Sequence, residues 1–348
     1  MPNKLSRRAA TLMMASAACT LAAPRLIAQQ REKIAFAMGA GAFYFTLHYV
    51  SEAGGFYEQE GFELDSFNVS SGPRQVASIM GGSADVAPLG LQLVTQAAQR
   101  GGNIIAVCAG YNILPMSVLL SNDAIAKSGI ADGMSTDEKV RRMKGLRIGI
   151  TTPGSGTDDM VRALLRGRGM NPDRDITIQP LVTAETMLAS LERGSSDGFC
   201  FTSPIPEFAA SKGWGKIIIE PLNGDVPEAA NVPYIIMATS PDVIARKRPM
   251  LLAMVRCWIK AMDVVRDNSK EAGALVRGYF PDLEQGVYNA AFEKYRKGVP
   301  TGPLVNAEQV EKLVKFMHIS KGVPVSASLT EVFYSGIAEE VIKAAGRR

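Results

Sequence analysis

Histidine, cysteine and tryptophan are scarce in this chain of 348 residues, which holds two His, four Cys and two Trp. Neither His48 nor His318 belongs to a His-x-x-x-His pair. No Cys-x-x-Cys pair or carboxylate cluster has metal-ligand spacing, so neither a metal nor a cofactor is expected. The turn Gly154-Ser155-Gly156 lacks the Lys-Ser/Thr of a phosphate loop and the third glycine of a dinucleotide fingerprint. No Gly-x-Ser-x-Gly elbow occurs either. An excess of charge is also missing once the first 28 residues are set aside. Lys4, Arg7, Arg8 and Arg25 supply the formal net charge of +4, and the remaining basic residues equal the 34 acidic ones in number. A nucleic-acid partner therefore has no electrostatic basis. Beyond the first 28 residues the cysteines are Cys108, Cys200 and Cys257. An odd, sparse set in apolar contexts excludes a disulfide framework and predicts three buried thiols.

What is present begins at the N-terminus. Ser6-Arg7-Arg8 precede an apolar run from Ala9 to Ala23, and Pro24 leads to Leu26-Ile27-Ala28. A basic start, a short apolar stretch and a small residue describe an export signal. The run falls short of the roughly 20 residues a membrane-spanning helix needs. Residues 1–28 are read as a signal peptide cut near Ala28, which places the mature chain in the periplasm. The Arg pair resembles a twin-arginine signal, while Sec export stays open.

The second feature is an internal repeat. KIAFAMGAGA begins at Lys33 and RIGITTPGSG at Arg147, an offset of 114, and Asp85 and Asp197 recur at an offset of 112. Each unit reads as strand, Gly-rich turn, helix, strand, helix, Gly-Ser turn, Asp and a further strand. Two such units predict an α/β protein with two lobes, mostly parallel sheets and helices on both faces. Residues 31–118 and 237–348 are assigned to lobe I and residues 119–236 to lobe II. Two extended crossings, Met116 to Leu120 and Tyr234 to Ala238, make a hinge. The segment from Ile125 to Lys144 reads as a surface connection with a short helix. Helical patterns follow from Pro241, interrupted by Pro249, and over Asn306 to Met317 and Leu329 to Ala345. These helices are expected to pack on lobe I.

Candidate ligand-binding residues follow from the loops. Ser71 and Gly72 open one helix, and Ser155 and Gly156 another. Free backbone N–H groups and the helix dipole there favour an anion, although ordinary capping uses the same residues. The two loops are taken to occupy equivalent places in the two lobes. Arg74 lies in the first turn of the first of these helices. Gly90, Thr202 and Ser203 end strands, where α/β sheets place ligands. Tyr234 opens the return crossing. Phe43 and Tyr44 can stack on a ligand or pack in a core. Asp85 and Asp197 read as structural. A cleft enzyme is the competing reading, with His48 as its acid–base group.

The segments GFYEQEGFELD, SSGPRQVASIMGGSADVAPLG, RMKGLRIGITTPGSGTDDMVRALLRGRGMNPDRDI and LERGSSDGFCFTSP resemble one family. The chain is similar to periplasmic solute-binding proteins of the nitrate/sulfonate/taurine and thiamine-pyrimidine-precursor class, from Lys33 to about Ser240. The resemblance implies a type II periplasmic-binding-protein fold that delivers a small-molecule ligand, an anion, to an ABC permease in the inner membrane. A monomer without enzymatic activity is expected. By position, the resemblance implies contacts at Phe43, Tyr44, Ser71, Gly72, Gly90, Ser155, Gly156, Thr202 and Ser203. Two departures stand out. Cys200 is alone in GFCF, where the pyrimidine-synthase branch has a cysteine cluster. Ser203-Pro204-Ile205-Pro206-Glu207 replaces a Glu-Pro found in many members. A ligand-loaded sensor partner would use the same closed form.

Overall fold

Ten strands among the described residues form two five-stranded sheets. The computed structural model describes residues 32–39, 41–69 and 71–346. The expected signal peptide, 1–28, lies outside them. The first sheet has the order β2-β1-β3-β10-β4, from β1 (Glu32–Met38), β2 (Phe62–Asn68), β3 (Val86–Gly90), β4 (Ile105–Ile113) and β10 (Ala230–Thr239). The second has the order β7-β6-β8-β5-β9, from β5 (Met116–Ser121), β6 (Arg147–Ile150), β7 (Thr177–Pro180), β8 (Gly198–Thr202) and β9 (Gly215–Ile219). The principal helices are α1 (Thr46–Ala53), α2 (Gly72–Met80), α3 (Leu91–Ala98), α4 (Gly156–Arg166), α5 (Ala184–Glu192), α6 (Ile205–Ser211), α7 (Pro241–Asp267), α8 (Gln285–Tyr295) and α9 (Ala307–Lys321).

The two sheets repeat one plan. Phe36 pairs with Val86 and Ile148 with Gly198, both in parallel ladders and both at an offset of 112. The aspartates at the strand starts mark the same offset. Asp85 accepts the Ala35 N–H at 2.9 Å, and Asp197 accepts the Arg147 N–H at 2.8 Å. Each also donates its own N–H back to the same residue's carbonyl. The repeat therefore starts at Ala35, two residues later than the Lys33 alignment. Neither sheet is as parallel as expected. β10 runs antiparallel to β3 and β4, and β5 antiparallel to β8 and β9. In both sheets the antiparallel strand is the one that has just crossed from the other.

The crossings also move the expected division of the chain. All of β5 pairs in the second sheet from Met116 onward, and all of β10 in the first from Ala230 onward. The boundaries expected at 118/119 and 236/237 fall inside these strands. The change of sheet lies at Leu114-Pro115 on the way out and between β9 and β10 on the way back. Both halves belong to one compact body, Lys33–Arg348.

Helix ends follow local chemistry. Ser240 caps α7 by accepting the Val243 N–H, with Pro241 in the first turn. α7 kinks at Lys247, two residues before Pro249, because the proline ring crowds the preceding turn. The kink lets the Lys247 ammonium reach Asp85 at 2.7 Å. Beyond it, Leu251, Met254, Val255, Trp258, Met262 and Val265 are buried as their helical spacing predicts. The last expected helix is broken. Leu329–Val332 and Gly336–Ala344 are separate, because Phe333 bridges to Ala106 of β4 and Tyr334 donates to the Ala106 carbonyl at 2.8 Å. The Ile125–Lys144 connection holds parts of two short helices, Asn122–Ser128 and Thr136–Arg142, the latter started by a Ser135/Glu138 capping box. The C-terminal helices do not serve the first half alone. α9 packs against α4 of the second half as well as β10 of the first.

Asp85→Ala would strand the Ala35 N–H and Lys247, whose side chain is 23% exposed. It should cost about 2 kcal/mol in a denaturant titration. Asp197→Ala should cost less, since Arg147 is 40% exposed and regains water.

Candidate functional site

A cavity of about 80 Å³ opens between the two halves. A water needs roughly 10–15 Å³ of such space, so the cavity takes only a handful of non-hydrogen atoms. Three helices point their N-terminal ends at it: α2 through Ser71 and Gly72, α3 through Gly90, and α4 through Ser155 and Gly156. Each end leaves backbone N–H groups without helical partners and a partial positive charge. Tyr44, Gln75, Gln92, Thr151, Thr157, Thr202 and Tyr234 add hydroxyls and amides, and Phe45, Leu89, Leu93, Phe201 and Ile235 add apolar surface. No charged side chain is among the described lining residues.

Eight of the eleven expected residues meet here: Tyr44, Ser71, Gly72, Gly90, Ser155, Gly156, Thr202 and Tyr234. Three do not. Phe43 is fully buried and stacks on Phe280 at 4.3 Å, in an aromatic cluster with Tyr288 and Tyr295. Its role is core packing. Arg74 is exposed and does not line the cavity. The turn that brings Ser71 and Gly72 to the cavity leaves Arg74 on the solvent side of α2. Ser203 is buried behind the strand end, its N–H directed to the Tyr295 hydroxyl at 3.3 Å. The peptide that follows it, Ser203-Pro204, is cis.

The two helix-opening loops are not equivalent, contrary to expectation. At the offset of 112, Ser71 matches Thr183, and Ser155 matches a residue preceding Tyr44. What the repeat does bring together is Gly39 with Thr151, Tyr44 with Gly156, Phe45 with Thr157, and Gly90 with Thr202. All eight line the cavity. The capping reading also divides. Ser155 caps α4 by accepting the Asp158 N–H at 3.4 Å, whereas Ser71 makes no side-chain capping bond. Ser155, Thr151 and Thr157 hold one another at 2.7–2.9 Å.

Gln75 and Gln92 escaped the sequence reading. Gln75 sits in the first turn of a helix already singled out, and Gln92 two residues past the strand end at Gly90, which are the signals that could have found them. Gln75 donates to the carbonyls of Ala37 and Pro88, at 2.9 Å each, and ties β1 to β3 under the cavity. The Gln92 Oε1 is buried without a partner. Its amide lies over Gly90, where a Cβ would come within 2.1 Å of that oxygen, so any larger residue there displaces the Gln92 amide. Gly156 is constrained likewise, since a Cβ would stand 2.8 Å from the Tyr234 hydroxyl. Burial pushes the Tyr44 phenol up to about 12 and Tyr234 further above its ordinary value. Both are neutral donors at physiological pH.

The acids near the cavity are neutralised behind it. Asp158 is held by Arg162 at 2.7 Å. Asp159 is fully buried and accepts from Lys321 at 2.5 Å, Ser320 at 2.7 Å and Gln96 at 3.3 Å. Lys321 and Ser320 lie on α9 and Gln96 on α3, so one carboxylate of the second half is bound to two helices of the first. His48, the proposed acid–base group, is buried against Phe36 and Tyr57 away from the cavity. Burial lowers its pKa to about 4. The three cysteines are free and buried as expected. Among the described residues, no group of three or more His, Cys, Asp or Glu could hold a metal ion.

Glu207 lies outside the cavity, on α6. Its carboxylate is buried, and burial, reinforced by Glu220 and only partly opposed by Ser203 and Lys294, raises its pKa to about 7. Lys294 of α8 is bonded to Glu220 at 2.8 Å rather than to Glu207.

The NMT1-like family model matches residues 29–276. The Bacillus subtilis (strain 168) protein YtlA is 21% identical over 337 residues, which are 95% of this chain and 94% of YtlA. The alkanesulfonate-binding protein SsuA from Xanthomonas axonopodis pv. citri, bound to MOPS, superposes with a TM-score of 0.67 at 13% identity. That match covers 87% of this chain and 98% of SsuA. The periplasmic nitrate-binding protein NrtA from Synechocystis PCC 6803 gives 0.66 at 15% identity, covering 90% and 89%. The desulfurization enzyme DSZB gives 0.62 at 14%, covering 90% and 100%. At such identities the likeness is one of fold, and the fold is the α/β periplasmic-binding-protein fold.

Lys321→Ala leaves Asp159 buried and without its cation. It should cost about 3 kcal/mol, read from the denaturant midpoint. Glu207 contributes a pH dependence. The folded chain keeps its proton up to about pH 7, while the unfolded chain loses it near 4.5. Its contribution is full below pH 4.5 and is lost as the pH rises to 7. His48 acts in the opposite sense, adding stability as the pH rises from about 4 to 6.5. As the pH rises from 4.5 to 7, the thermal midpoint of Glu207→Gln should gain on that of the parent protein, which alone loses the Glu207 contribution.

Proposed function

This chain belongs to the NMT1-like family, and on that footing we propose that it is the periplasmic substrate-binding component of an ABC importer. Its ligand is a small anion of the sulfonate, taurine, nitrate or carboxylate class. One observation carries the reading: three helix N-termini from both halves open into one small cavity with a neutral, donor-rich wall. Such an arrangement stabilises an anion by fixed dipoles and N–H groups, with no guanidinium required. The ligands named for SsuA and NrtA are small anions as well.

Ligand contacts from both halves favour the closed form, with Leu114-Pro115 and the β9–β10 connection as the hinge. The closed form is what an inner-membrane permease would receive. Residues 1–28 would direct export and be removed. Among the described residues no helix is long and apolar enough to cross a membrane.

The presence of an enzyme on the same fold makes turnover the competing reading. The cavity favours capture without turnover, because its described lining offers no His, Cys, Asp, Glu or Lys as acid, base or nucleophile.

Calorimetry of the mature chain against nitrate, methanesulfonate, taurine and acetate should show one class binding with Kd well below about 1 mM. No heat from any of them would overturn the reading. Arg74→Ala should leave that Kd unchanged, whereas Gly156→Ala should raise it by displacing Tyr234.

A further inference from the structure

Val182 has φ = +64°, and among the described residues only Asn231 is another non-glycine with positive φ. Asparagine tolerates that region, whereas a β-branched side chain there is strained. Across Val182, the Thr183 N–H donates to the Leu181 carbonyl at 2.7 Å. An i to i+2 bond around a positive φ is the rare, strained form of the γ-turn. The surroundings hold it firmly. Leu181 donates to Ile150 at 2.8 Å and Val182 to Thr151 at 3.0 Å, both bonds to β6 and the loop after it. Thr183 starts α5 with a reciprocal cap to Thr186. Backbone strain persists only where neighbours over-determine it, and it gathers at ligand sites.

The strained residue lines the cavity between the halves and is 37% exposed, so it stands at the cavity's rim. Leu89, Leu93 and Ile235 also present aliphatic groups to the cavity, but they are buried, and Val182 is the exposed one among the four. Glycine or asparagine would satisfy the turn at lower cost, so the backbone alone does not account for valine. We propose that Val182 is a specificity-determining residue, whose isopropyl group covers the cavity rim and limits the size of the group an anion can carry behind its charged end. The inference rests on the cavity being the ligand site. Small anions without a tail pass beneath the rim, and longer ones meet it.

Calorimetry with nitrate and with methane-, butane- and hexanesulfonate tests it on the parent protein, Val182→Gly and Val182→Ala. In Val182→Gly, the affinity for hexanesulfonate relative to methanesulfonate should rise about tenfold or more, the scale of one or two methylenes in an apolar contact. The thermal midpoint should rise as the strain is relieved. Val182→Ala, which keeps the Cβ, should shift selectivity in the same direction and less far, and it serves if the glycine variant does not fold. A parent protein that binds none of the four overturns the anion-binding reading, and this inference with it. A parent that binds, with variants of unchanged selectivity, overturns the role of Val182 alone. A lower midpoint in a folded Val182→Gly would overturn the strain on which the argument stands.

Discussion

A single buried carboxylate holds the site in register. Asp159 belongs to the first turn of α4, two residues after Thr157 in the cavity wall, and it is bound by Lys321, Ser320 and Gln96 of the other half. Burial alone would raise its pKa, and Lys321 opposes that. Gln96 is on α3, whose N-terminus also faces the cavity. One acid therefore fixes two of the three positive helix ends relative to each other. The same neutralisation keeps Asp159 from cancelling the dipole of its own helix, a necessity in a cavity whose described lining has no cationic side chain.

The repeat explains how two halves can share one small cavity. Each half carries the same clasp, in which an aspartate at the start of one strand bonds the backbone of its parallel neighbour. The clasp sets strand register, and register sets which residues emerge at the strand ends. Pairs at an offset of 112 then arrive from opposite sides: Gly39 opposite Thr151, and Gly90 opposite Thr202. The halves are alike in backbone and unlike in chemistry. Where one presents glycine, the other presents a hydroxyl.

Phe43 was open to two readings because an aromatic after a glycine turn suits a ligand or a core. Phe280, Tyr288 and Tyr295, from a distant part of the chain, decided for the core. Arg74 and Ser203 were misplaced for a related reason. Each is a near neighbour of a true lining residue, and one step along a helix turn or past a strand end changes the direction of a side chain.

Local patterns made the two-unit α/β plan, the buried thiols, the long kinked helix and eight of the lining positions legible. All depend on short-range rules: apolar periodicity, glycine turns, proline and helix caps. Three matters depended on contacts between residues far apart in the chain. The true repeat offset needed strand register. The non-equivalence of the two helix-opening loops needed that offset. The neutral cavity needed Asp158 and Asp159 to find Arg162 and Lys321, and Arg74 to turn away. Periodicity states which face of an element is buried, but only packing decides what that face meets.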